Sequence, residues 1–187
     1  MTARVTVIVC HRHGRRIADT ARSILASAAT DVAVCLVDQR VGDQTGSALG
    51  DLPRDPRLHV LRGPAGGLAA GRNAGASWAT SERLAFTDED CVVTPTWVSE
   101  ITEPFARDPR IGVVFGTVRP APYDPAHGFL PSLARREPFL ARSIGDARRL
   151  GGLGASMAVR RSVWEAVHGF DEMLGAGARL RAGEDTD

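Results

Sequence analysis

The sequence predicts one α/β domain with a mostly parallel central sheet and helices on both faces. Three observations lead there. Short apolar runs at 5–10, 32–37, 58–61 and 83–87 read as buried strands. Segments with helical apolar spacing separate several of them, and strand–helix–strand order calls for parallel strands joined by right-handed crossovers. Two of the runs end in acids: Asp38 after the second, Asp88-Glu89-Asp90 after the fourth. In open sheets of this class ligands sit outside the carboxyl ends of the strands.

Taken in order, residues 5–10 form the first strand and His11-Arg12-His13-Gly14 a polar turn. Ile17, Ala21, Ile24, Leu25 and Ala28 recur at helical spacing, so 15–29 is an amphipathic helix. The second strand, 32–37, ends at Asp38. Residues 39–55 are polar and Gly-rich and read as a loop, followed by the short strand 58–61. The Ala-rich stretch 68–80 reads as a helix in spite of Gly71 and Gly75, each of which weakens it by roughly 1 kcal/mol unless close packing requires it. Strand 83–87 follows, then a helix over 96–107 with Trp97, Ile101 and Phe105 on one face, and a strand over 111–118. The segment 119–150 carries Pro120, Pro122, Pro125, Pro131 and Pro138 and reads as a long excursion of the kind that often bears function. Residues 154–159 return to the sheet, and Ser162 is expected to cap a short helix running through Val167. No internal repeat or linker interrupts the chain, so 1–187 is one domain.

Composition excludes some functions. The 187 residues suffice for a sizeable core, and 43% hydrophobic with 24% charged residues is ordinary for a globular protein. A net charge of +1 gives no bulk case for nucleic-acid binding. Every basic side chain is Arg, which removes mechanisms needing a catalytic Lys. Cys10, Cys35 and Cys91 lack zinc or redox spacing, and Cys10 and Cys35 are expected to pack as small hydrophobes in a reducing, cytoplasmic setting. No stretch approaches the ~20 apolar residues of a membrane helix, and the first apolar run is too short for a signal peptide.

The three acids at 88–90 are costly to hold together unless a cation sits among them. Hard divalent ions take such oxygen ligands, and Mg²⁺ is usually held by one or two carboxylates plus substrate phosphates. The alternative is a solvated loop in which Asp90 caps the next helix. His11 and His13 form a His-x-His pair for which a metal role stays open, though no third ligand is evident. Arg135, Arg136, Arg142, Arg148 and Arg149 form either a solvated face or a patch that attracts a phosphorylated lipid or an anionic membrane.

Several separated stretches together resemble the family-2 glycosyltransferases. Cys10-His11-Arg12-His13 is similar to that family's turn after the first strand, although Thr or Tyr usually stands where the histidines are. Val37-Asp38-Gln39, Gly67-Leu68-Ala69-Ala70-Gly71-Arg72-Asn73-Ala74-Gly75 and Phe86-Thr87-Asp88-Glu89-Asp90 resemble its Val-Asp-Asp/Gln, Gly-Leu-x-x-x-Arg-Asn-x-Gly and Asp-x-Asp segments. Residues 154–161, Gly169-Phe170-Asp171-Glu172 and Gly183-Glu184-Asp185 resemble its acceptor side. The resemblance implies a Rossmann-like nucleotide-diphospho-sugar transferase fold of GT-A type. Its donor-binding part would span about 1–118 and its acceptor-side part about 119–187, the latter cut short after Asp187.

The resemblance also implies roles. Asp38 would bond the base or ribose of the donor nucleotide. Arg12 and Arg72 would contact the nucleotide or its diphosphate, with Cys10 and Glu89 lining the same site. Asp88 would lie near the ribose or donor sugar and share with Asp90 a Mg²⁺ or Mn²⁺ ion. Asp185 would be the general base. The implied activity is metal-dependent, inverting hexosyl transfer from a UDP-, dTDP- or GDP-sugar to a glycan or lipid-linked acceptor in cell-surface glycan or glycoconjugate synthesis. The location would be cytoplasmic, with peripheral contact at the inner membrane face through 135–149 as an open alternative. The rival readings are a donor-binding module without transfer activity and, disfavoured by the lack of Lys, a sugar nucleotidyltransferase.

Overall fold

The middle of the sheet is β1, Val5–His11, a seven-residue strand buried along its whole length. The structure, a computed structural model, describes residues 3–13, 16–40, 51–124, 126, 128, 132–134, 137–143, 145–146, 151–180 and 183. On one side of β1 lie β2, Val32–Asp38, and then β3, Leu58–Arg62. On the other side lies β4, Arg83–Asp88. All four run parallel. Beyond β4 come β6, Met157–Arg160, and the edge strand β5, Val113–Phe115, and these two pairings are antiparallel. The sheet order is β3-β2-β1-β4-β6-β5. Because β6 is inserted between β4 and β5, the stretches 1–118 and 119–187 share one sheet.

Strand alternation sends side chains to two layers. Val5, Val7 and Val9 pack with Ile17 and Ile24 of α1, Ile17–Leu25, and with Trp97, Val98, Ile101 and Phe105 of α3, Trp97–Arg107. Ile8, Cys10, Cys35, Val37, Leu84 and Phe86 form the opposite layer with α2, Leu68–Trp78. Each large apolar side chain buried this way contributes roughly 1.5–3 kcal/mol. Cys10 and Cys35 are free and buried, as small hydrophobes.

The glycines in α2 are there for close approach. A Cβ on Gly75 would stand 2.5 Å from Ile8 Cγ2 and 3.0 Å from Val37 Cγ2, both core atoms. Gly75→Ala gains about 1 kcal/mol of helix propensity but overpacks the core at a cost of about 1–3 kcal/mol. The expected net result is a loss of stability in urea unfolding. A more stable variant would contradict the close packing.

Several boundaries differ from the sequence expectation. Helix α1 stops at Leu25 rather than at 29, because Ser27 Oγ and Ala28 N–H both donate to Pro95 O at 3.3 and 2.9 Å and draw the chain off the helix axis. Of 111–118 only Val113–Phe115 pairs in the sheet, and Val118 bridges separately to Leu133. Residues Gly154–Ser156 are a 3₁₀ turn rather than strand, and Ser156 Oγ accepts from Trp97 Nε1 at 2.9 Å. Ser162 does not cap its helix. Helix α4, Arg161–Ala166, starts straight from the extended Arg160, and no side chain caps it. The Arg161 guanidinium instead donates to Ala79 O at 2.6 Å and Ser81 O at 2.8 Å, where it satisfies carbonyls at the end of α2.

Candidate functional site

Register places the acids. His11 of β1 lies opposite Asp38 of β2, and Cys10 lies opposite Asp88 of β4. Alternation then puts His11 and Asp38 on the α1 side of the sheet end, and Cys10 and Asp88 on the α2 side.

On the α1 side the Asp38 carboxylate is buried and fully engaged. Arg40 Nε donates to Oδ1 at 2.8 Å, while Arg40 Nη2 and Arg62 Nη1 reach Oδ2 at 3.2 Å each. Burial alone would raise this carboxyl, but the Arg40 hydrogen bonds and the Arg40 and Arg62 charges outweigh it and hold the group below its ordinary value. Asp38 therefore stays ionised. On the α2 side Arg72, buried in the second turn of α2, reaches Asp88 Oδ1 at 3.4 Å and lies 5.8 Å from the centre of the Phe170 ring. Cys10 packs beneath, with Gly71 pressed against its sulfur, and burial pushes the thiol up to about 12. It acts there as a neutral packing group.

The three acids do not form one cluster. Glu89 turns back over the end of β1: its carboxylate accepts from His11 Nδ1 at 2.5 Å and from Arg12 N–H and His13 N–H at 3.1 Å each. Its backbone carbonyl accepts from Thr20 Oγ1 at 2.9 Å. Arg72 thus supplies a cation to Asp88, while the His11 ring and two backbone N–H groups satisfy Glu89, which is why Asp-Glu-Asp is tolerated at a strand end. Asp90 is exposed in the turn after β4, and the N-cap of the next helix is Thr96 rather than Asp90. Glu89→Gln cannot serve all three donors. It should cost about 1–3 kcal/mol of stability in urea unfolding, because a donor at the buried His11 or the half-buried Arg12 loses its acceptor. Parental stability would show that the clamp contributes nothing.

The sequence did not single out this use of His11. Its ring is buried, its Nδ1 is fixed by Glu89, and its Nε2 has no hydrogen-bond partner among the described residues. His13 is exposed, and among the described residues no cluster of three or more His, Cys, Asp or Glu is placed to hold a metal. Asp88 and Asp90 remain two hard oxygen donors at a strand mouth. That set fits a divalent ion whose shell is completed by phosphate oxygens, not one caged by protein alone.

A loop closes over the site from the carboxyl-terminal side. Leu68 N–H donates to Ala176 O at 2.9 Å, and a Cβ on Gly177, whose φ is +83°, would collide with the Arg12 guanidinium. Arg12 is thus gathered with Arg72, Asp38 and Asp88 around one sheet end. Asp185, Arg135, Arg136, Arg148 and Arg149 lie outside the described residues. Gln39 and Asn73 also went unassigned from sequence. Gln39 Nε2 donates to Pro64 O, Gly66 O and Gly67 O and ties down the turn before α2.

The glycosyl transferase family 2 model matches residues 5–165. Among curated proteins none matches the chain by sequence. Solved structures share the fold. S. aureus TarS 1-349 superposes with a TM-score of 0.74 at 19% identity, covering 100% of this chain and 53% of that one. The same protein in complex with UDP-GlcNAc gives 0.69 at 20% identity, covering 96% and 52%. Mannosyltransferase PcManGT from Pyrobaculum calidifontis, in complex with GDP-Man and Mn2+, gives 0.64 at 20% identity, covering 100% and 56%. The chain therefore spans about half the length of these structures.

Proposed function

Because the chain belongs to glycosyl transferase family 2 and carries its Rossmann-like GT-A type fold, we propose that it transfers a sugar from a nucleotide-diphosphate donor to an acceptor hydroxyl, with inversion and with a divalent metal. The observation that carries this reading is that Asp38 and Asp88 stand at the carboxyl ends of β2 and β4, the parallel strands on either side of β1, with Arg72 of α2 reaching Asp88 and with Asp90 two residues beyond. The GDP-Man and Mn2+ named for PcManGT and the UDP-GlcNAc named for TarS support a donor and an ion of this class.

In this reading Asp38 takes a donor group of the base or ribose, which requires Arg40 to release one carboxylate oxygen. Arg12 and Arg72 face the diphosphate, and Asp88 lies toward the ribose or donor sugar. Cys10 and Glu89 shape the site from beneath, the first by packing under Arg72 and the second by fixing the turn that carries Arg12. Asp88 and Asp90 would hold Mg²⁺ or Mn²⁺, which as a Lewis acid offsets charge on the departing nucleoside diphosphate. Asp185 would take the proton of the acceptor hydroxyl, a role worth roughly 10²–10⁴-fold. A single base facing the bond opposite the leaving group gives inversion without a covalent nucleophile.

The acceptor in this reading is a glycan or lipid-linked sugar used in glycoconjugate synthesis on the cytoplasmic side of a membrane, approached through the arginines of 135–149. No helix among the described residues is long and apolar enough to cross a membrane. The test is calorimetry with UDP-, dTDP- and GDP-sugars, with and without Mn²⁺, followed by donor hydrolysis and transfer assays. Metal-dependent binding of one nucleotide class with turnover is the expected result. Saturating donor without detectable binding would overturn the proposal, and binding without hydrolysis or transfer would leave a donor-binding module.

A further inference from the structure

Asn73 of α2 commits its whole side-chain amide to α4 and the chain that follows it. Its side-chain amide makes the four hydrogen bonds an asparagine can make. Nδ2 donates to Phe170 O at 2.9 Å and to Glu172 Oε1 at 3.1 Å. Oδ1 accepts from Phe170 N–H at 2.9 Å and from Trp164 Nε1 at 3.4 Å. Two of these grip both backbone groups of a single residue, as a neighbouring strand would. Neither Asp nor Leu could replace it, since one lacks the donor and the other lacks both groups.

The gripped residue is also held by its ring. Phe170 meets Phe86 of β4 edge-on at 5.3 Å between centroids, and the Arg72 guanidinium lies 5.8 Å from it. Consecutive residues of α2 thus hold one phenylalanine, Arg72 at the ring and Asn73 at the main chain, while Arg72 also reaches Asp88. The approach is tight enough to exclude a side chain at the preceding position: Gly169 has φ +83°, and a Cβ there would stand 2.6 Å from Asn73 Oδ1. From Phe170 the chain runs through a loop closed on itself by Gly175 N–H to Leu180 O at 2.7 Å and Leu180 N–H to Met173 O at 2.8 Å. That loop lies against Arg12 and Gly67 and then leads to Glu184-Asp185 in sequence.

We propose that Asn73 is a positioning residue: its amide docks segment 169–180 on α2 and so sets the acceptor side of the site relative to Asp88 and Arg72. The consequence for catalysis rests on the transferase reading above, but the docking itself does not. Asn73 touches no donor group in this scheme. Its loss should leave nucleotide binding in place and let water compete with the acceptor.

Hydrogen exchange on the full chain tests the docking without any assay of activity. In Asn73→Ala the amides of Phe170, Leu174, Gly175 and Leu180 should exchange at least about 10-fold faster, with those of β1 and β4 unchanged. Unchanged exchange in that segment would overturn the proposal. Should Asn73→Ala lose protection everywhere, Gly169→Ala presses on the same contact from the loop side and must give the same confined signature, or the proposal falls. The second readout is the ratio of transfer to donor hydrolysis. In Asn73→Ala it should drop at least about 10-fold at donor affinity within about twofold of the parent. A purely structural contact would lower both rates together and overturn the positioning role. If the parent chain itself binds no nucleotide sugar, the transferase reading fails, and the exchange result alone decides the docking.

Discussion

Asp90→Ala should leave the fold intact and remove the metal-dependent part of donor binding. Asp90 is exposed in the turn that follows β4, and among the described residues no Arg pairs with it. The contrast with its neighbours is physical. Asp38 is buried under Arg40 and Arg62, Asp88 faces Arg72, and Glu89 is committed to His11 and two backbone N–H groups. Removing any of those three strands a buried or partly buried cation or donor, so a loss of binding would be mixed with a loss of stability. At Asp90 the two separate. Calorimetry with the preferred nucleotide sugar should show Mn²⁺ tightening donor binding in the parent, and a loss of at least about 10²-fold in the metal-supported affinity of the variant. The urea midpoint should stay at the parental value. Equal affinity with and without Mn²⁺ in both proteins would remove Asp90, and the ion, from the scheme. A fallen midpoint would mean that Asp90 supports the turn rather than the ligand.

The same contrast explains how far the sequence could be read. Strands β1, β2 and β4 were legible because their apolar runs are short and bounded by polar residues; β2 and β4 end in acids, and the register delivered those acids to one sheet end. The glycines of α2 were legible as packing residues, since no other reason keeps Gly71 and Gly75 in a helix. What sequence could not supply was direction. Asp88, Glu89 and Asp90 look alike in a string, yet the pleat sends Asp88 toward α2, and Glu89 turns to the β1 end because His11 and two turn amides wait there. Spacing suggested that His11 and His13 act as a pair, but His11 is buried on a strand and His13 exposed in the turn. The order of strands was equally hidden. β6 enters between β4 and β5 and runs antiparallel, a placement set by long-range contacts such as Trp97 Nε1 to Ser156 Oγ and Thr87 Oγ1 to Ala155 O. Likewise Ser162 has the chemistry of a cap but stands two residues past the cap position, Arg160, because the chain enters α4 straight from β6 and Arg161 is used to close the end of α2.

Asp185→Asn should keep donor affinity within about twofold and lower transfer turnover at least about 10²-fold. The reasoning is chemical. An acceptor hydroxyl becomes a competent nucleophile only as its proton leaves, and the carboxamide of Asn cannot accept that proton. Size and hydrogen-bonding reach are nearly unchanged, so substrate binding has no reason to suffer. The donor contacts proposed here, Asp38, Arg12, Arg72, Asp88 and Asp90, all lie elsewhere in the chain. A base role therefore predicts a fall in kcat with little change in donor KM, and a transfer rate in the parent that falls at low pH as the base becomes protonated. The variant should lose that acid limb along with its rate. A variant with parental turnover would remove Asp185 as the base. A variant that loses donor affinity in step with turnover would place Asp185 among the donor contacts instead. The comparison with Asn73→Ala is then informative. Loss of the base depresses transfer with the segment still protected from exchange, whereas loss of docking depresses transfer because the segment has come away from α2.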